Sequence, residues 1–393
     1  MMREQVRPDS EPATQLVWCT IGHAELIDDR EANRVSQSGM ASGACFECRA
    51  PFKSCVHHTD PIHSISIESI SDTPAVTDGD NSAGRTTAEG YGVEVADVQT
   101  PGDWCELTRR NARSVQTTIG WIFWDPGAAR RYNAAGLPEA FAGPLGYIAS
   151  RCAPLAGAGP DAVVASFGSI SPMAIRGVFQ FLGTPERFGE IWSARDAAVV
   201  DGLRQYAPDI VEPLAAFAAE LWTVVEQLPL VGRPFFGAHL AMARPTEPLL
   251  SGWHAINCLR EWRGDTHWAV VVAEGLGHAE ASILHNAWLG YETDWLALSR
   301  GTSPADIEAG WTSLAAKGLA HQRTVLPEGL ALRQRIEDAT DRLTMLPWQL
   351  LGAERSQQFT EFFEPPCVRL LARVDETAGV NYQPASRLFT RPQ

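Results

Sequence analysis

The sequence predicts a mainly α protein. A helical bundle is followed by a second helical module with a short two-stranded hairpin and a long closing helix, all behind a disordered leader. Three observations predict it. Apolar residues recur at helical spacing from Trp104 onward, strand-like alternation is nearly missing, and residues 1–102 lack apolar periodicity altogether. The segments that follow are a leader over 1–102, a bundle over 103–245 and the hairpin-bearing module over 246–393.

The leader is dominated by Ser, Thr, Asp and Gly in stretches such as SISDTPAVTDGDNSAGRTTAEGYG. That composition buries too little surface to offset chain entropy. Met40 offers an alternative start within it. The 393 residues carry a net charge of −15; residues 1–100 hold 7 Lys+Arg against 16 Asp+Glu, and residues 101–393 hold 25 against 31. Neither part is a basic platform for a phosphate backbone, whose binding rests on cationic neutralisation. The amino terminus MMREQVRPDSEPATQ has no apolar core of a signal peptide. No apolar run approaches the roughly 20 residues that span a bilayer, so a cytoplasmic, membrane-free protein is expected. Without an export signal, the eight cysteines are not expected to pair. Cys45, Cys48, Cys55, His57 and His58 supply enough thiolate and imidazole for a tetrahedral zinc site. Their spacing matches no common zinc module and little core surrounds them, so incidental residues are the favoured reading and no metal or cofactor is expected.

In the bundle, Trp104, Leu107, Val115, Ile119 and Ile122 fall on one helical face. Asp125-Pro126 then reads as an N-cap with Pro at the first helical position, restarting a helix through Ala128 and Tyr132 that Gly136-Leu137-Pro138 ends. Thr184-Pro185 and Ser303-Pro304 repeat that signal, and Ser303 with Asp306 forms an acidic variant of the capping box. Amphipathic stretches run around 159–182, 185–206 and 209–228. The Pro- and Gly-rich run LPLVGRPFFGAHLAMARPTEPLL reads as a loop.

A helix over Ser251–Trp262 follows, with Trp253, Ile256, Leu259 and Trp262 on its apolar side. Arg263-Gly264-Asp265 reads as a break, with Asp265 capping the next helix, THWAVVVAEGL, and Gly277 starting another. A helix from Ser303 to Lys317 ends at Gly318, the residue type preferred just past a helix end. AHQRTVLPEG then fits a two-stranded wing, and GLALRQRIEDATDRLTML forms the closing helix, stopped by Pro347. Helix, helix, helix, wing, helix is the winged-helix order.

The run LAAKGLAHQRTVLPEGLALRQRIEDATDRL resembles the recognition helix, wing and closing helix of MarR-like proteins. The stretches WIFWDPGAARRYNAAGL, GYIASRCAPL, SGWHAINCLREWRGDTHWAVVVAEGL and DRLTMLPWQLLG resemble an actinobacterial helix-turn-helix family without an assigned activity. The resemblance spans roughly residues 104–375 and implies an all-helical amino-terminal part with a winged helix behind it. MarR-like proteins act as pairs, so the resemblance also implies a homodimer.

The densest chemical constellation is His254, Arg260, Glu261, Arg263, Asp265 and His267, within fourteen residues. Opposite charges beside an apolar stripe are expensive unless they pair. They form either a pocket for an anionic or hydrogen-bonding ligand, or a paired network that fixes the helix corner. A second set, Trp121, Trp124, Tyr132, Tyr147, Arg151 and Ser171, either lines a pocket facing that corner or is simple core. Arg151 and Trp124 complete the candidate ligand set.

For DNA, the helix before the wing would enter the major groove. That helix carries Asp306 and Glu308, with Ser303, Thr312, Lys317 and Arg323 as the candidate contacts, so weak DNA binding is expected. Two functions remain open. One is a winged-helix regulator or accessory protein binding a small molecule. The other is an enzyme on that scaffold using His254, Glu261, Asp265 or His267, with no phosphate loop, nucleophile elbow or zinc-protease motif to name the reaction.

Overall fold

A computed structural model describes residues 103–387 of the chain, and both the leader and its cysteine–histidine cluster lie outside the described residues. The first part contains α1 (Trp104–Gly120), α2 (Pro126–Ala134), α3 (Ala142–Cys152), α4 (Pro160–Ser166), α5 (Pro172–Leu182), α6 (Pro185–Tyr206), α7 (Val211–Glu226) and α8 (Pro234–Leu240). Then follow α9 (Pro248–Ala273), α10 (His278–Leu289), α11 (Trp295–Ser299) and α12 (Pro304–Ala316). Strands β1 (Ala320–His321) and β2 (Thr324–Val325) lead into α13 (Pro327–Leu343), α14 (Leu346–Leu351) and α15 (Ala353–Thr377). The fold is mainly helical, with one two-stranded sheet among the described residues.

The helix starts obey their capping chemistry. Asp103 accepts the Cys105 amide at 2.9 Å, Asp125 that of Gly127 at 2.8 Å, and Ser303 that of Asp306 at 3.1 Å. Each satisfies an amide that has no partner within its own helix. Thr184 sits at the N-cap of α6 without its hydroxyl making that bond. Gly318 adopts φ +70°, the left-handed turn that lets the chain leave α12. The strands pair antiparallel with Ala320 opposite Val325 and His321 opposite Thr324. Gln322 and Arg323 form the tip, both at positive φ, as a two-residue hairpin requires.

Three expectations need correction. The amphipathic stretch 159–182 is two helices, α4 and α5, separated at Phe167–Ser171. The Pro- and Gly-rich run contains α8, which begins at Pro234 as its fixed φ allows. Most consequentially, Arg263-Gly264-Asp265 does not break a helix: α9 runs unbroken for 26 residues. Its charges are satisfied by other elements, so the helix has no reason to stop. Arg263 reaches α13, and Asp265 accepts the Phe236 amide at 2.9 Å, capping the first turn of α8 instead of its own helix.

Two hydrophobic cores result among the described residues. The larger joins Trp121 just after α1, Phe217 of α7, Trp253 and Trp262 of α9, and Phe359 and Phe363 of α15, among others. The smaller joins Val271, Leu284, Ile307, Leu314, Leu332 and Ile336 around the hairpin. Helix α9 is common to both, contributing Trp253 and Trp262 to one and Val271 to the other. No helix among the described residues is long and apolar enough to cross a membrane.

Candidate ligand-binding site

A cavity of 510 Å³ lies between α1, α3, α9, α10 and α13, with the segment around Tyr382–Arg387 closing one side. That volume suits a small organic ligand. Phe123, Trp124, Tyr147, Trp268, Trp288 and Trp295 give it aromatic walls. Eight arginines also line it, against Glu337 as the single carboxylate among the lining residues. In a chain of net charge −15 this local cationic excess runs against the overall sign.

The charges come from α1, α3, α9 and α13, with Arg300 and Arg387 added from the segments that follow α11 and α15. Arg151 of α3 meets Glu261 of α9 with two bonds, Nε–Oε1 at 3.0 Å and Nη2–Oε2 at 2.8 Å. Arg260 of α9 shares that carboxylate through Nη1 at 2.6 Å and reaches Gln116 with Nε at 3.1 Å. Burial by itself would raise the Glu261 pKa, but Arg151 and Arg260 hold it well below the usual carboxylate range. One carboxylate thus serves two guanidiniums, and the trio keeps a net positive charge. Burial and the neighbouring Arg151 lower the Arg260 pKa. The Arg151 guanidinium also lies 4.1 Å over the Phe167 ring.

A second set runs along α13. Arg263 bonds Glu337 at 2.9 Å, Asp341 at 2.7 Å and the Thr344 hydroxyl at 2.7 Å. Arg333 pairs with Glu337 at 2.8 Å, and Arg109 of α1 with Asp341 at 3.0 Å. Against burial, Arg333 and Arg263 keep the Glu337 pKa well below its ordinary value. His267 lies within this set. Burial depresses its pKa to about 3, so it is neutral near pH 7. The Thr340 hydroxyl donates to the Ile336 carbonyl, so it accepts from His267 Nδ1 at 3.1 Å, which leaves Nε2 unprotonated. Burial likewise lowers the His285 pKa well below its usual value.

The structure distributes the candidate residues unevenly. Trp124, Arg151, Arg260, Arg263 and His267 line the cavity, with Glu261 behind two of them. His254 does not line it; its Nε2 pairs with Asp196 Oδ2 at 3.0 Å, edge-on to Trp192. Asp265 faces α8. From the second set, Tyr147 lines the cavity, Trp121 and Tyr132 are fully buried core, and Ser171 caps α5. Arg109, Arg113, Arg300, Arg333, Glu337 and Arg387 were not anticipated. One signal was present: Arg333, Glu337 and Asp341 are spaced by four in RQRIEDATD, which places them on one face of α13.

On the wing side, Lys317 Nζ bonds the Gly275 carbonyl at 2.7 Å and pairs with Glu280. Arg323 pairs with Asp294 and Glu308. Ser303 is engaged as an N-cap, while Thr312 is exposed on α12. Among the described residues no group of three His, Cys, Asp or Glu side chains is placed to hold a metal ion.

Asp265 yields a pH prediction. Burial raises its pKa from 3.8 to about 7; the Phe236 amide opposes this, the charge of Glu261 adds to it and Arg151 opposes it. The folded state therefore holds the proton more tightly than the unfolded chain. The stabilisation is whole below about pH 4 and is lost as pH rises towards 7. Asp265→Asn keeps an acceptor for the Phe236 amide and removes the titration. Between pH 5 and 8 the wild type should lose on the order of 2 kcal/mol relative to this variant. Urea unfolding of both proteins across that range checks it, and a constant difference contradicts it.

The described residues form a mainly helical fold with one two-stranded hairpin. The sequence model of a helix-turn-helix family matches residues 108–376, more than half of the chain, and the protein belongs to that family. No curated protein and no solved structure matches it.

Proposed function

We propose that the protein is a winged-helix regulator or accessory protein of MarR-like type whose cavity binds a small organic anion. The observation that carries this reading is the 510 Å³ cavity walled by aromatic rings and by eight arginines against one carboxylate. An anionic ligand would relieve that excess, and stacking on the rings would supply apolar burial. Binding is favoured over catalysis because three of the four acid–base candidates are committed elsewhere and the fourth, His267, lines the cavity with a pKa lowered by burial to about 3, which makes it a weak base near pH 7. Glu261 is held ionised between two guanidiniums, His254 is tied to Asp196, and Asp265 caps α8.

The same reading supplies a route to the DNA side. Arg263 and Arg333, which line the cavity, also hold Glu337 and Asp341 on α13, the helix that leaves the wing. A bound anion competes with those carboxylates for the guanidiniums and so loosens α9 from α13. DNA contact itself is weak in this proposal. The candidate cations Lys317 and Arg323 already have acidic partners, and Asp306 and Glu308 sit on the exposed face of α12. A homodimer would double whatever affinity one copy has.

Two measurements on the full chain test the halves separately. Anilinonaphthalene sulfonate should bind saturably at one site per chain, and Ala281→Trp, which fills the cavity wall, should abolish it; binding indifferent to that substitution removes the ligand half. A fragment of the protein's own upstream DNA should be retarded at about 50 mM salt and released by about 200 mM. Lys317→Ala and Arg323→Ala should each weaken retardation. Absence of retardation at low salt removes the regulator half and leaves an accessory ligand-binding protein.

A further inference from the structure

Three of the cavity arginines, Arg151, Arg260 and Arg300, gather around Tyr147. All four side chains line the cavity, and Tyr147 and Arg151 stand one turn apart on α3. The Tyr147 phenol bonds the guanidiniums of Arg151 and Arg260. Burial lowers the Arg300 pKa to about 10, and after burial Tyr147 is the strongest electrostatic influence on it, followed by Arg333 and Arg151. The segment between α4 and α5 ties the same groups together. The Ser169 hydroxyl accepts from Arg151 Nη1 at 3.2 Å, and the Ser171 amide donates to the Arg300 carbonyl at 3.0 Å. Two residues of chain span at most about 7 Å, so the backbone at Arg300 passes close to the Arg151 guanidinium.

The charges in this group do not balance. Among the described residues Glu261 is the only carboxylate that bonds any of the three guanidiniums; it takes Arg151 and Arg260 and leaves Arg300 without an acidic partner. Three positive charges against one negative leave two uncompensated. Arg300 engages only Nη1, in a 3.4 Å bond to the Ser282 hydroxyl, so its remaining N–H groups are available to a guest. Beside this group, the rings of Phe123 and Trp124 lie 4.1 and 6.3 Å from that of Tyr147.

Building on the reading of the cavity as a ligand site, we infer that its ligand is a phosphate monoester of a flat organic group, with the phosphoryl oxygens on Arg151, Arg260, Arg300 and the Tyr147 hydroxyl. Above its second ionisation, near pH 6, such a group carries two negative charges and three terminal oxygens that suit guanidinium forks. A carboxylate or sulfonate brings one charge and leaves the other guanidinium charge unmatched in a poorly solvated place. The rings beside Tyr147 then supply a stacking surface for the organic part.

The test is calorimetric titration of the full chain at about pH 8 with phenyl phosphate and phenyl sulfate, which share a shape and differ by one charge. The wild type should bind phenyl phosphate at least about tenfold more tightly. Arg300→Gln should bring phenyl phosphate down to the phenyl sulfate level, with the unfolding temperature unchanged because Arg300 holds no ion pair among the described residues. Arg300→Lys, which keeps the charge, should keep the preference. Equal affinity of the wild type for the two esters, or a preference that survives Arg300→Gln, overturns the inference. If anilinonaphthalene sulfonate binds in the cavity and phenyl phosphate does not, the phosphate inference fails alone. If neither probe binds, the ligand-site reading fails and this inference with it.

Discussion

Glu261→Gln should lower the stability of the fold by about 3–5 kcal/mol at pH 7, the cost typical of leaving buried charges without their partner. Glu261 is fully buried, and both Arg151 and Arg260 are almost so. Glutamine retains the shape and one acceptor but leaves two guanidiniums facing each other in a poorly solvated place. The pH dependence has a definite sign. The folded-state pKa of Glu261 is depressed, so its contribution is present above the unfolded value and is lost only as pH falls through the lower folded one. The stability difference between wild type and variant should therefore hold from pH 8 down to about 5 and close in strong acid. Chemical unfolding at several pH values measures this. A loss below about 1 kcal/mol at pH 7 would show that water, not Glu261, solvates the arginines.

Gly252→Ala tests the packing that positions the site. In an exposed helix interior this change stabilises by up to about 1 kcal/mol, because alanine restricts the unfolded chain. Here the sign should reverse. A Cβ at Gly252 would stand 2.0 Å from the Leu214 carbonyl oxygen and 2.7 Å from its carbon, both backbone atoms of α7. Neither can rotate away, so α7 and α9 must separate and loosen the core around Trp253. A loss of about 3 kcal/mol or more is expected, at or above the upper end for overpacking. Thermal and urea unfolding decide it, and any gain in stability shows that the helices do not approach so closely.

Much of the fold is written locally. Asp103, Asp125 and Ser303 cap the helices they precede, Gly318 ends α12, and AHQRTV forms the hairpin, because each effect acts over a few residues. Arg263-Gly264-Asp265 misleads for the opposite reason. Its partners, Glu337, Asp341 and the amide of Phe236, lie far away in the chain, and charges read without partners look like a loop. The site divides the same way. Arg151, Arg260 and Arg263 stand in a dense local run or beside aromatics and were accessible to inspection. Arg113 follows Arg109 and Arg110 in a run that reads as an ordinary charged helix face, Arg300 stands alone in LALSRGTS, and only tertiary folding gives them a common cavity. His254 and Asp265 belonged to the dense run, yet a helix turns each residue about 100° from the last, so proximity in sequence did not bring them to one face.

The uninterrupted course of α9 ties the cavity wall to both cores. Arg260, Arg263, His267, Trp268 and Val271 all project from this one rod into the cavity wall, and the rod is anchored in both cores. A hinge at Gly264 would have let each half absorb a guest independently. With no joint there, the side chains that line the cavity and those that fill the two cores belong to one continuous helix.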